Sequence, residues 1–300
     1  MALAEFLKAF KDVLIKNQVL PESQAARFEL FRSRYVLLSD LEIEDLAKIP
    51  PAKFSIYTGT ICRGEANILA NRFPVTFAGL GSFYLACYRQ QFNSYLMLVD
   101  LNQQLPWKSY KTNELADNFV SYVRKLVSIE SSEHESFQWI PEMAEFEGYL
   151  VKIRKSQKPL TEGQFSWQQL ASMSVQECLR LQIRTRAEAI QLQSNYDLVT
   201  IQKSFRSNDR CLPSSISGDL SWIWIGRSQR LFSRAQRVSS AEDKFLSNAL
   251  GKPRDLEEYC SVMLESQVEL ANQPELLFSN SLARVKELAL SGILSVSLPS

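Results

Sequence analysis

The stretch Ser221-Trp222-Ile223-Trp224-Ile225-Gly226-Arg227-Ser228 decides the fold class. Successive side chains of a strand point to opposite faces, so a strand with one wet face alternates apolar and polar residues. Residues 222–225 do not alternate. The segment therefore reads as a strand that is covered on both faces, or as one that offers Trp222 and Trp224 to a partner. Gly226-Arg227-Ser228 reads as a turn, and residues 230–238 as the returning strand of a hairpin.

Toward the C-terminus, Ser239-Ser240-Ala241-Glu242 has capping-box form and opens a helix through Leu250, with Gly251 as its stop. Helices follow over 255–267 and 274–291, and residues 293–298 read as a last strand. A hairpin, three helices and a strand are winged-helix-like in content. On the other side of the hairpin, 206–220 is polar loop, and 196–205 reads equally as helix or strand. Leu179, Leu181 and Ile183 alternate with Arg180, Gln182 and Arg184, the mark of a strand, and Ala189, Ile190 and Leu192 read as its neighbour. Ser166-Trp167-Gln168-Gln169 and Ser174-Val175-Gln176-Glu177 have capping-box form and predict two short helices.

The first half reads as helix throughout. Leu3, Phe6, Leu7, Phe10, Val13 and Leu14 recur at three- and four-residue steps. A second helix holds Phe28, Phe31 and Tyr35 after the break at Pro21-Glu22-Ser23. A long helix runs from Pro50-Pro51 to Pro74, and Gly79-Leu80-Gly81 reads as a turn before the next. Leu115, Phe119, Val123 and Leu126 mark another helix, as do Met143, Phe146, Leu150 and Ile153 after Pro141. The polar, punctuated stretch 152–164 places a boundary between a helical domain, 1–157, and a mixed domain, 158–300. The predicted class is α+β: an N-terminal all-α helical bundle, then a smaller domain with an antiparallel sheet and winged-helix-like C-terminal helices.

Composition narrows the function. The 300 residues carry 34 Lys plus Arg against 33 Asp plus Glu, so no global field draws the chain to nucleic acid or acidic membranes. The N-terminal residues have no signal-peptide form, and no apolar run reaches the ~18 residues of a membrane span, so a cytoplasmic protein is expected. Cys62, Cys87, Cys178, Cys211 and Cys260 are scattered and form no C-x-x-C pair, the pattern of reduced thiols. His134 is the single histidine, which leaves no zinc site of usual spacing and no two-histidine iron site within one chain. The sequence has no Gly-x-Ser-x-Gly elbow, Walker loop or dinucleotide fingerprint. No catalytic residue, metal ligand or cofactor is therefore predicted. Glu130, Glu133, Glu135, Glu142, Glu145 and Glu147 read as a solvated acidic face, or as a docking patch for a basic partner. Residues 203–237 are locally basic, with Lys203, Arg206, Arg210, Arg227, Arg230, Arg234 and Arg237 against Asp209 and Asp219. Trp222, Trp224, Arg227, Arg230 and Arg234 are the candidate contacts for a partner or an acidic peptide.

Ile56-Tyr57, Arg63-Gly64, Phe73-Pro74-Val75-Thr76, Leu80-Gly81 and Phe83-Tyr84 resemble a bacterial family. Its members are the companion proteins of multinuclear non-haem iron-dependent peptide-modifying enzymes, of methanobactin type. The N-terminal domain of that family is also labelled a DNA-binding domain. The resemblance continues through the helix from Ile140-Pro141 to Glu147, through Leu179-Arg180-Leu181, and through Ser194-Asn195-Tyr196-Asp197-Leu198. Glu142-Met143 stand where the family has Tyr-Leu. The resemblance implies a non-catalytic partner subunit in natural-product biosynthesis. Such a subunit binds an iron-dependent enzyme encoded nearby and helps hold the leader of a ribosomally made precursor peptide. Tyr57, Arg63, Phe73, Pro74, Gly81 and Phe83 would then be structural residues of the motif. A DNA-binding transcriptional regulator is the alternative reading, and the acidic residues Asp255, Glu257, Glu258 and Glu265 in a candidate recognition helix count against it.

Overall fold

The computed structural model describes residues 6, 9, 20–94, 96–97, 112–130, 135–155, 167–213, 215–228, 232–266 and 268–298. The chain is mixed α+β and divides into two compact units, Met1–Leu126 and Val127–Ser300.

Among the described residues the first unit is helical. Helix α1 (Gln24–Arg34) begins where the Ser23 side chain accepts the Ala26 N–H. Helix α2 (Asp40–Lys48) begins at a complete capping box between Ser39 and Glu42, and this bonding holds the Glu42 carboxyl below its usual range. The two helices bury Phe31, Ile43, Leu46 and Ala47, joined by Phe54 from α3 (Pro51–Arg72). Arg27 is buried with them: its Nε donates to the Ala47 carbonyl at 2.9 Å and its Nη1 to the Pro21 carbonyl at 2.8 Å. Helix α4 (Pro74–Tyr88) follows directly, with Pro74 in its first turn, where a missing N–H costs nothing. Buried Phe73 sits between the two helices and meets Phe119 of α5 (Thr112–Glu130) edge-on at 4.8 Å.

Gly79-Leu80-Gly81 is not a turn, because α4 runs through it. The left-handed stop is Arg89, at φ 53, beyond the helix end. The helix expected over residues 3–14 lies outside the described residues apart from Phe6 and Ala9, both helical.

The second unit holds two three-stranded antiparallel sheets. Helix α6 (Trp139–Lys155) comes first and buries Met143, Phe146, Leu150 and Ile153, the predicted repeat. The polar stretch 152–164 therefore begins in its last turn, and residues 156–164 lie outside the described set. Helix α7 (Val175–Leu179) follows the Ser174/Glu177 capping box. Because Leu179 is spent in this helix, strand β1 (Gln182–Thr185) starts later than the alternation suggested. Strand β2 (Ile190–Tyr196) is not the neighbour of β1. It pairs with β3 (Gly218–Arg227), which pairs on its other side with β4 (Ser233–Val238). Helix α8 (Leu198–Ser207) resolves the ambiguous segment after β2, capped by Asp197. Then come α9 (Ser240–Gly251), β5 (Arg254–Asp255), α10 (Leu256–Ser266), α11 (Pro274–Leu290) and β6 (Leu294–Ser297). β1 is central between β5 and β6, so the hairpin and the last strand belong to different sheets.

The central position of β3 explains why it does not alternate. Trp224 faces a core that includes Ile183, Phe245, Leu246 and Tyr259, while Ile223 and Ile225 are fully buried on the opposite face. Helix α6 packs across all three strands of this sheet.

The turn is also displaced from Gly226-Arg227-Ser228. Gly226 stays in the strand, because the 291–293 turn between α11 and β6 lies against it. A Cβ on Gly226 would lie 2.5 Å from the Gly292 carbonyl carbon, and Gly292 itself has φ +76 against the Arg227 backbone.

Candidate functional site

The hairpin β3–β4 carries Arg227, Arg234 and Arg237 of the basic segment, and its register sorts them. Cross-strand partners share a face, so Arg227, Ser233, Ile225, Ala235, Ile223 and Arg237 lie on one face. Trp222, Trp224, Gly226, Arg234, Gln236 and Val238 lie on the other. The five candidate contacts therefore do not form one patch. Trp224 is 2% exposed, and its indole N–H donates to Asp243 Oδ1 at 2.8 Å, so it presents no surface. Trp222 is half-buried against the same core. Arg234 is exposed on that face, Arg227 is half-buried on the opposite one, and Arg230 lies outside the described residues.

The basic segment is partly spent on the fold. Arg237 donates to Asp197 at 2.6 Å and Asp219 at 2.7 Å. Burial pushes the Asp197 carboxyl up, but bonds from Thr200 and the Arg237 charge outweigh it and hold the group below its usual range. Lys203, Arg206 and Arg210 are exposed on and after α8.

Arg227 is different. Its Nε and Nη1 are enclosed without a hydrogen-bond acceptor, and the adjacent Ser228 hydroxyl is likewise enclosed and unpartnered. Beside it, Arg154 from the last turn of α6 donates from Nε to Ser233 Oγ at 2.9 Å. Ser233 is the cross-strand partner of Arg227, so Arg227 shares a face with the hydroxyl that Arg154 holds. Sequence reasoning placed Arg154 in a linker, and no local signal marks its approach to β4.

The edges of the same sheet are unequal. At β2, Glu142 of α6 accepts from the Ser194 hydroxyl at 2.6 Å and from the Asn195 backbone and side chain, each at 2.9 Å. That carboxylate takes a backbone N–H which an added strand would need. Glu142 is thus a structural clamp, and Glu147 is buried, so the acidic run is not one solvated face. At β4, the Ser228 N–H donates to the Phe232 carbonyl, and ladder alternation from that pair turns the backbone groups of Ser233, Ala235 and Arg237 outward. Arg284 of α11 takes the Arg237 carbonyl. Among the described residues, no backbone bond is made on the outer side of Ser233 or Ala235. Phe232, just before them, is 62% exposed.

Behind the hairpin lies a buried polar network. Tyr259 donates to Glu242 Oε1 at 2.6 Å, and Arg284 Nε donates to the same oxygen at 3.0 Å. Burial, and then the Glu242 charge, push the Tyr259 hydroxyl well above its usual value; Arg284 is also shifted up, as the charge of Glu242 overcomes its desolvation.

The residues of the N-terminal motif are dispersed through the helices. Phe73 and Phe83 are buried, Pro74 starts α4, Gly81 lies inside α4, Arg63 is exposed on α3, and Tyr57 belongs to α3. Cys178, Cys211 and Cys260 are free thiols, and burial pushes Cys178 and Cys260 up. His134 lies outside the described residues, among which no three His, Cys, Asp or Glu side chains are grouped to hold a metal ion. No described helix is long and apolar enough to cross a membrane. The chain matches no protein-family model and no curated protein.

Proposed function

We propose that this chain is a non-catalytic, cytoplasmic partner subunit. It binds a multinuclear iron oxidative enzyme and helps recognise that enzyme's ribosomally made precursor peptide. Its N-terminal helices form a bundle in this reading, and the hairpin with α9–α11 is winged-helix-like in content. The observation that carries the reading is the outer edge of β4, open at Ser233 and Ala235 beside Arg154 and Arg227. An extended peptide adding there gains ladder hydrogen bonds for affinity, and alternate side chains for specificity. The clamp of Glu142 on β2 occupies one outward N–H of the competing edge, at Asn195. The acidic residues Glu257 and Glu258, exposed on α10, do not suit a helix that reads phosphate-lined grooves.

The test is co-purification of the full chain with an iron enzyme encoded beside it, analysed by size exclusion with light scattering. A stable complex that retains the neighbouring precursor peptide is the expected result. Elution of the chain alone, with a shift of duplex DNA at low salt, overturns the proposal in favour of a regulator.

A further inference from the structure

Three guanidinium groups of the second unit are matched by carboxylates. Arg284 meets Glu242 and Glu287, Arg237 meets Asp197 and Asp219, and Arg254 meets Glu258. At Arg227 both Nε and Nη1 are enclosed with no acceptor. Its backbone cannot withdraw, because Gly226 and Gly292 bring the 291–293 turn into direct contact with it. Two enclosed guanidinium nitrogens without acceptors disfavour the free fold, since their hydration is lost and nothing replaces it. Such a group is retained where a ligand supplies the acceptor, and stability is commonly sacrificed at binding sites in this way.

The position of the group identifies the ligand. Arg227 and Ser233 are cross-strand partners on one face, and Ser233 lies on the open edge with Arg154 on its hydroxyl. A strand added to β4 sits ~4.8 Å from Ser233 and about twice that from Arg227. Its side chain opposite Ser233 projects to the same face, within reach of two long guanidinium side chains. The geometry points to a peptide bearing Glu or Asp at that register, whose carboxylate Arg154 and Arg227 bind together. This rests on the strand-addition reading above and specifies its substrate class. A free oxyanion shares the chemistry, but it would have no need of the open ladder groups beside it.

The experiment uses the full chain with two fluorescent extended peptides, one alternating Thr with Glu and the other alternating Thr with Gln. Anisotropy at low salt is expected to show the Glu peptide binding roughly tenfold tighter, as one charge-assisted contact supplies. In Arg227→Met that preference collapses, while the thermal midpoint of the free protein rises because two enclosed donors without acceptors have been removed. Arg154→Ala gives a partial loss of preference without a rise. A lower midpoint for Arg227→Met means the guanidinium is already paired within the fold, and overturns the inference. So does an unchanged Glu preference in that variant, or a site that inorganic phosphate fills but neither peptide does. Co-purification with the iron enzyme is scored on the same preparations. Lost Glu selectivity with an intact enzyme complex sinks this site alone, and intact selectivity without a complex sinks the adaptor reading alone.

Discussion

Gly292 and Gly81 should respond to the same substitution with opposite signs. At Gly292, φ is +76, a region that costs a residue with a Cβ about 1–2 kcal/mol. An alanine Cβ would also collide with the Arg227 carbonyl and lie 2.8 Å from the Arg227 nitrogen, and all of the atoms it meets are backbone. Overpacking typically costs a further 1–3 kcal/mol, so Gly292→Ala should destabilise by roughly 2–5 kcal/mol. At about 2–4 °C per kcal/mol for a unit of this size, the midpoint of the second unit falls by ~4–20 °C. Gly81 lies inside α4 with nothing within 4 Å of an added Cβ. Gly81→Ala should stabilise by about 0.5–1 kcal/mol, through lower unfolded-chain entropy. The assay is thermal denaturation followed by circular dichroism on both variants. A Gly292→Ala midpoint within ~2 °C of the parent would refute the clamp between the 291–293 turn and β3, and with it the argument that Arg227 is held in place.

Glu242→Ala strips Arg284 and Tyr259 of their shared buried acceptor and should cost ~3–5 kcal/mol in urea denaturation; a loss under about 1 kcal/mol contradicts the network. Because the folded pKa of Tyr259 is raised, its contribution is complete below pH ~10 and is lost as pH rises further, so tyrosinate absorbance should show one tyrosine ionising only with unfolding. Asp197 is shifted the other way, so its contribution holds above its unfolded value and is lost as pH falls. Asp197→Asn should therefore flatten the acid limb of stability, and an unchanged limb would show that Arg237 does not depend on it. Ala235→Pro removes an outward N–H from an edge strand, so the fold should persist while peptide binding is lost; retained binding would exclude strand addition at β4.

Local signals were readable where one short stretch settles the matter. The capping boxes at Ser174 and Ser239, the start of the long helix at Pro51 and its end before Pro74, and the apolar repeat of α6 all appear as the residue pattern predicts. Each depends on bonds or contacts within one or two turns. Failures came where a distant segment intervened. Gly226 looks like a turn residue, yet it is a close-approach residue for a turn that the sequence places 66 residues later. Glu142 looks like a solvated acid but clamps the edge of β2, and Arg154 looks like a linker cation but reaches Ser233. No residue type or spacing announces such pairings.

By itself, the sequence determined the α+β class, the positions of most helices, and a non-alternating strand at 222–225, because helical periodicity, capping and apolar runs act over a few residues. Only the tertiary structure decided that β1 pairs with β5 and β6 rather than with β2, that Trp224 is core, and that Arg227 stands enclosed without an acceptor. Strand partnership and side-chain pairing are settled by competition among segments far apart in the chain, and only the folded core ranks those alternatives.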